Sequence, residues 1–207
     1  MIVIDATGLP SAACIDANAH ALARYAALCE EAVLVPIIEP EVLIDGTHTQ
    51  ARCQEVTEAV LRGVCAQLAR HGAALEAVIL KSNMVLAGLG CSMQNTAAEV
   101  ADATLQCLRR VVPAAVPGIM FLSGGQTGEQ ASRNLNAMHV AGPALAGGSS
   151  LPWPVSFSFA RALQNPALGI WAGEDANRIA AQRAPIQRAR CNQAALKGLY
   201  QAAMEVA

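Results

Sequence analysis

The residue best suited to covalent chemistry in this sequence is Lys81, which follows a short apolar run at residues 77–80 and precedes Ser82-Asn83, a pair predicted to form a turn. Of the fourteen basic residues, only Lys81 and Lys197 are lysines. A desolvated lysine can lose its proton and attack a carbonyl carbon, whereas an arginine stays protonated near neutral pH. The position therefore suggests a Schiff-base nucleophile. The alternative interpretation is a lysine whose ammonium group extends from the strand end into water.

Two glutamates, Glu39 and Glu41, flank Pro40 directly after another apolar segment. Carboxylates held beside a lysine could relay protons, and their mutual repulsion would separate their pKa values. The alternative is a pair of solvated glutamates in a turn.

Two further segments have features of a phosphate site. Ser123-Gly124-Gly125 precedes a helical pattern, where successive backbone N–H groups can bind an anion, although glycine pairs also simply form turns. Arg161 follows a buried segment and could hold a phosphate through its planar guanidinium group, or form a surface ion pair instead. All these residues follow apolar segments, and this coincidence favours the functional interpretation.

The hydrophobic pattern predicts an α/β fold. Strands are expected at residues 1–4, 33–38, 77–80, 119–122 and 155–159, and helices at 15–31, 49–71, 96–111 and 128–139. A long helical pattern covers 175–204, with Pro185 predicted to break or kink it. Several strands are apolar almost throughout, as in a parallel sheet covered on both faces. In an α/β barrel or an open sheet, the loops after the strands share one ligand-binding face.

Composition narrows the functional classes. With 207 residues and 54% hydrophobic content, the chain is expected to form one domain, residues 1–207. A net charge of −2 without a basic run argues against nucleic-acid binding. Seven cysteines without a CxxC pair predict reduced thiols in a cytoplasmic protein, and the histidine spacing predicts no metal site. Neither a signal peptide nor a membrane-spanning run is apparent.

Four long stretches resemble class I fructose-1,6-bisphosphate aldolases, the metal-independent Schiff-base enzymes. They are 34–48 (LVPIIEPEVLIDGTH), 79–88 (ILKSNMVLAG), 113–139 and 152–173. The resemblance covers almost the whole chain, and its combination of motifs is highly specific. It implies a cofactor-free lyase that acts on a ketose bisphosphate.

The resemblance also implies roles for individual residues. Lys81 matches the imine-forming lysine, Glu39 the acid/base glutamate, and Glu41 a glutamate that holds the lysine and a water network. Ser123 and Gly124 match a phosphate-binding turn. Together with Gly125 and Arg161, which matches a phosphate-binding arginine, they make up the predicted phosphate site.

Three departures from the family pattern are visible. Ser82 replaces the usual proline, and Phe159-Ala160 replaces Tyr-Gly, so that the Ala160 methyl group is expected to crowd a phosphate. The family fold is an eight-stranded barrel, and the resemblance begins at its fourth strand. The chain therefore lacks counterparts for an aspartate used in carbon–carbon cleavage and for two assisting lysines.

The resemblance thus implies about five βα units of a (β/α)8 barrel, strands four to eight, followed by a long helix. The leading hypothesis is the C-terminal part of an aldolase, from a truncated or split gene or a partial sequence, either homo-oligomeric or completed by another chain. A non-catalytic relic or interaction module is the second hypothesis. A Schiff-base lyase for another ketose phosphate is the third.

Overall fold

Four parallel strands form the sheet in the computed structural model, which describes residues 1–5, 8–145 and 151–206. The strands pair in sequence order and are β1 (Ile37–Ile38), β2 (Ile79–Ser82), β3 (Gly118–Phe121) and β4 (Val155–Phe157). Lys81 of β2 lies opposite Met120 of β3. The predicted α/β fold with a parallel sheet is confirmed.

The first predicted strand, residues 1–4, does not join this sheet as a strand. Ile2 forms one isolated parallel bridge with Val42, beyond the end of β1. The bridge consists of two bonds, from the Ile2 N–H to the Glu41 carbonyl (2.8 Å) and from the Leu43 N–H to the Ile2 carbonyl (2.9 Å). The predicted count of five strands is therefore not reproduced in the described residues.

The described residues form six α-helices, of which the first precedes β1 and the others connect or follow the strands. They are α1 (Ala12–Glu31), α2 (Gln50–Arg70), α3 (Ala97–Val111), α4 (Gly128–Leu145), α5 (Arg161–Trp171) and α6 (Arg178–Ala195). The first three begin at N-caps whose side chains accept a backbone N–H bond, namely Ser11, Thr49 and Thr96. Helix α6 continues through Pro185 and ends at Ala195, short of the predicted residue 204. No helix in the described ranges is long and apolar enough to cross a membrane.

The sheet buries one face against the helices. Leu80 and Ser82 of β2 are buried, whereas Ile79 and Lys81, which alternate with them, are only partly covered. Strand β3 repeats this pattern, with Ile119 and Phe121 at 1% and 0% exposure. The prediction of a sheet covered on both faces is thus wrong for the described residues, because the helices pack on one side only.

The other face of the sheet carries an open apolar groove of about 460 Å³. Its lining includes Val35, Ile79, Gly118, Met120 and Ser156. The segment that leads into β1 continues the apolar surface, and its most exposed member is Val33, at 92%. In the described structure, this face of the sheet is therefore accessible.

Candidate active site

The residues singled out from the sequence lie within the last residues of consecutive strands or just after them. Glu39 comes directly after β1, Lys81 is the third residue of β2, Ser123 lies two residues after β3, and Arg161 begins α5 after β4. Hydrogen bonds extend the register past the strand ends, from the Leu122 N–H to the Ser82 carbonyl (3.0 Å), for example. Because the strands are parallel and paired in order, these positions lie along the carboxyl edge of the sheet, where α/β proteins bind ligands.

Lys81 and Glu39 form a close ion pair. The Lys81 Nζ lies 2.8 Å from the Glu39 Oε1. Strand pairing explains the contact, because Ile38 is in register with Leu80. Glu39 follows Ile38 and Lys81 follows Leu80, so the two residues lie side by side. The lysine side chain is 17% exposed and the glutamate side chain 43%. The lysine therefore does not extend freely into water, and its amine has a carboxylate within proton-transfer distance.

Glu41 lies on the same side of its segment as Glu39. Burial alternates strictly from Ile38 to Ile44, with Pro40 buried between the two glutamates, as in an extended chain. Both carboxylates therefore project away from the helix layer. In the described part of the chain, the Lys81 ion pair is with Glu39 and not with Glu41.

The turn after β3 has the geometry that its glycines predict. Gly124 and Gly125 both have positive φ values, 56° and 88°, and Ser123, which precedes them, is buried. The Ser123 carbonyl accepts the Gln126 N–H at 3.0 Å, and α4 begins at Gly128. Backbone N–H groups at such a turn, close to a helix N-terminus, suit a phosphate.

Sequence reasoning missed Gln126, which supports this turn. Its side-chain Nε2 donates to the Ser123 carbonyl at 3.0 Å, and its Oε1 accepts from the Asn134 Nδ2 at 2.7 Å. Both amides are buried. A glutamine after two glycines does not reveal this role, because its partner lies eight residues further along, on α4.

Arg161 is exposed, as the first residue of α5. Within the described ranges its guanidinium group forms no ion pair or hydrogen bond, so its donors are available to an external anion. The structure does not bring it into contact with Lys81. Ala160 has a φ of −97°, so the backbone here does not require glycine. Phe159 is buried, with its ring 5.3 Å from that of Phe157.

Ser82 and Asn83, interpreted from the sequence as a turn, are both buried, and Ser82 is the last residue of β2. The turn interpretation is wrong because strand pairing with β3 extends through Ser82. No described group hydrogen-bonds to the Ser82 hydroxyl.

His48 lies on the loop after β1 and is also buried, and neither of its ring nitrogens has a partner among the described residues. Burial, and secondarily the charge of Arg52, lower the pKa of His48 below its ordinary value.

Comparison with known proteins places these features in a family. The family model for class I fructose-bisphosphate aldolase, of the glycolytic type, matches residues 1–207. A probable class 1 fructose-bisphosphate aldolase of Xanthomonas campestris pv. campestris is 49% identical over 193 residues, which cover 93% of this chain and 56% of that protein. Human fructose-bisphosphate aldolase B is 49% identical over 191 residues, covering 92% and 51% respectively.

A solved structure agrees with these relatives. Fructose-bisphosphate aldolase from Plasmodium falciparum, crystallised with TRAP and a small-molecule inhibitor, superposes with a TM-score of 0.90 at 43% identity. The match covers 97% of this chain and 56% of that one. The chain spans about half the length of the curated relatives it matches. Across that span, the chain belongs to the class I fructose-bisphosphate aldolase family.

Proposed function

We propose that this chain supplies the imine-forming part of a class I fructose-bisphosphate aldolase, with Lys81 as the nucleophile. The observation that carries the proposal is the 2.8 Å contact between the Lys81 Nζ and the Glu39 Oε1 at the carboxyl edge of the sheet. A lysine that meets a carboxylate on an open face can both lose a proton and receive a carbonyl substrate. The substrate class is a ketose bisphosphate, as in the family.

In the proposed first step, Glu39 takes a proton from the Lys81 ammonium, and the freed lone pair attacks C2 of the ketose. The carbonyl oxygen is protonated and leaves as water, which yields a protonated imine. The oxygen takes up two protons in this step, one from the attacking nitrogen and one that Glu39 accepted from the ammonium and now returns. Glu41, on the same side of the segment, would hold the water network beside the amine.

Cleavage then breaks the C3–C4 bond. Its electrons move into the imine to give an enamine, while a base removes the C4 hydroxyl proton and glyceraldehyde 3-phosphate departs. The enamine is protonated at C3, and hydrolysis of the resulting imine releases dihydroxyacetone phosphate and restores Lys81. In the proposal, Ser123, Gly124, Gly125 and Arg161 bind substrate phosphate. The family's aspartate for the C–C step has no match in this sequence.

We also propose that the described fold is part of a (β/α)8 barrel. Residues 1–4 would correspond to the fourth strand, and β1 to β4 to the fifth through eighth. The apolar groove and the exposed segment before β1 support the proposal, because a closed barrel fills its interior with layers of side chains. The free edge of β4 would pair with the barrel's first strand.

Borohydride trapping tests the nucleophile. Reduction in the presence of dihydroxyacetone phosphate should add a stable label to Lys81, which peptide mass mapping locates. Lys81→Arg keeps the charge but should abolish labelling, because guanidinium is not a usable nucleophile. Lys197→Arg is the matched control and should label normally. A label on Lys197 with Lys81 unmodified would overturn the assignment.

Complementation tests the barrel. The 207-residue chain alone is expected to self-associate and to cleave fructose 1,6-bisphosphate negligibly, since cooperating catalytic groups act as a unit. A fragment with the first three βα units of a family member should restore a monodisperse complex and turnover. A monomeric 207-residue chain with ordinary aldolase turnover would contradict the proposal.

A further inference from the structure

A buried side-chain amide connects the segment that carries the two glutamates to the strand that carries the lysine. Asn83, two residues after Lys81, is 2% exposed. Its Oδ1 accepts the Val42 N–H at 3.1 Å. Its Nδ2 donates to the Thr57 Oγ1 at 3.2 Å and to the Met84 carbonyl at 3.1 Å. One side chain thus joins the loop after β1, the loop after β2 and helix α2.

The backbone does not make this connection itself. The β1–β2 pairing runs only from Ile37 and Ile79 to Ile38 and Leu80. On the opposite side of the segment, Ile2 bonds to the Glu41 carbonyl and the Leu43 N–H. The Val42 N–H therefore points toward the β2 side, beyond Ile38 and Leu80, where the backbone pairing of β1 with β2 ends. The side-chain Oδ1 of Asn83 accepts this N–H in place of a backbone carbonyl of the neighbouring strand.

The amide has only one orientation that satisfies its neighbours. Thr57, 2% exposed, presents an oxygen to the Nδ2, and the Met84 carbonyl can only accept. Both Nδ2 hydrogens are therefore committed, and the Oδ1 must face the Val42 N–H. Thr57 is one of the buried residues of α2, so its bond ties the amide to that helix.

We propose that Asn83 is a positioning residue for the Lys81–Glu39 pair, an inference that rests on the proposed function. Asn83 is two residues from the lysine, and its partner Val42 is three residues from Glu39. The Asn83 side chain fixes the distance between the glutamate segment and the end of β2, beyond the point where β1–β2 backbone pairing ends. Reactivity depends steeply on such spacing, and a displacement of about 1 Å can cost about 100-fold in rate.

The test compares three single variants of the 207-residue chain. Asn83→Leu keeps the approximate volume and removes every hydrogen bond. Asn83→Asp, kept neutral by burial, retains the acceptor for the Val42 N–H and donates its one O–H to the Met84 carbonyl, while the Thr57 hydroxyl can rotate to donate to the new side chain. The control is Thr104→Val, because the Thr104 Oγ1 accepts the Val85 N–H at 2.9 Å, an equally buried bond that leads to α3 and not to the glutamates.

Each variant is measured for borohydride trapping at Lys81, at saturating and limiting dihydroxyacetone phosphate, and for urea unfolding. Asn83→Leu should lower the saturated trapping rate by about 10- to 100-fold. Asn83→Asp should recover most of that loss, and Thr104→Val should lower stability while its rate stays within about twofold of wild type. A folded Asn83→Leu chain that traps at the wild-type rate would overturn the inference, as would an equal loss of rate in Thr104→Val.

Hydrogen exchange of the peptide that contains Val42 separates this inference from the proposed function. In Asn83→Leu, the amides around Val42 should lose protection from hydrogen exchange while those of β2 keep it. Unchanged protection around Val42 would overturn the inference that Asn83 holds this segment. Wild-type chain that never traps would overturn the proposed function, and exchange would then decide whether Asn83 holds the segment. If Asn83→Leu does not fold, Thr57→Val removes the anchor of the amide and should reproduce the effects on exchange and trapping to a smaller degree.

Discussion

Replacing Glu39 with glutamine removes the carboxylate beside the Lys81 amine and leaves a side chain of nearly the same size. The Glu39 Oε1 lies 2.8 Å from the Lys81 Nζ, within reach for direct proton transfer. Positioned acid/base groups typically contribute about 10²- to 10⁴-fold to a rate. We therefore expect Glu39→Gln to slow imine formation at Lys81 by a factor in that range.

The same substitution should barely change stability. The Glu39 side chain is 43% exposed, and ion pairs in such solvated positions contribute about 0–1 kcal/mol. The expected loss of rate corresponds to about 3–5 kcal/mol in the activation free energy. The effect on the reaction therefore exceeds the effect on folding, and two measurements can separate them.

The assay is the time course of borohydride-trapped label on Lys81, combined with urea unfolding. Glu41→Gln is the matched control, because Glu41 lies on the same side of the segment without forming the Lys81 ion pair in the described structure. It should slow trapping less than Glu39→Gln. Trapping at the wild-type rate in Glu39→Gln, or a larger loss in Glu41→Gln, would refute the assignment of Glu39 as the proton-transfer group.

Three further predictions concern stability and can be read from urea or thermal unfolding. Val33 follows α1 with a φ of +59°, a backbone conformation that glycine adopts more easily than valine, and it is 92% exposed. Val33→Gly should therefore raise the unfolding free energy by about 1 kcal/mol and the Tm by about 2–4 °C. Val35→Gly, the control, should raise neither. Ser82→Ala should leave stability unchanged or raise it, by up to about 1 kcal/mol, because it removes a buried hydroxyl without a described partner; a clear loss would reveal an unseen partner. Burial and Arg52 lower the pKa of His48 below 6.5, so the unfolded chain binds a proton first as pH falls, and the unfolding free energy should drop from about pH 7 toward pH 5. In His48→Gln, part of that slope should disappear, and an unchanged slope would exclude His48 as its source.

The local features of this protein could be predicted from its sequence. Helices α1 to α3 begin and end within three residues of the predicted helices, and β2 to β4 lie within two residues of the predicted strands, whereas α4 begins where predicted but extends six residues further, to Leu145. The turn at Gly124 and Gly125 has the positive φ values that glycine favours. These features depend on neighbouring residues along the chain, so a linear pattern is sufficient to reveal them.

The fate of the first segment depended on tertiary pairing. Residues 1–4 have the composition of a strand, yet Ile2 forms only one bridge with Val42. Likewise, the helical sequence pattern extends to residue 204, but α6 ends at Ala195. Composition states what a segment can form, whereas its partners decide how far the element extends.

The geometry of the site was decided by contacts between residues distant in the chain. The sequence alone predicted that Lys81, Glu39 and Glu41 act together, but only the register of β1 against β2 selects Glu39 as the ion-pair partner. The sequence predicted Asn83 to lie in a turn and did not reveal its structural role, because its partner Val42 is 41 residues away. A buried amide is satisfied by whatever donors and acceptors the packed elements present to it, and that set exists only once the sheet and α2 have assembled.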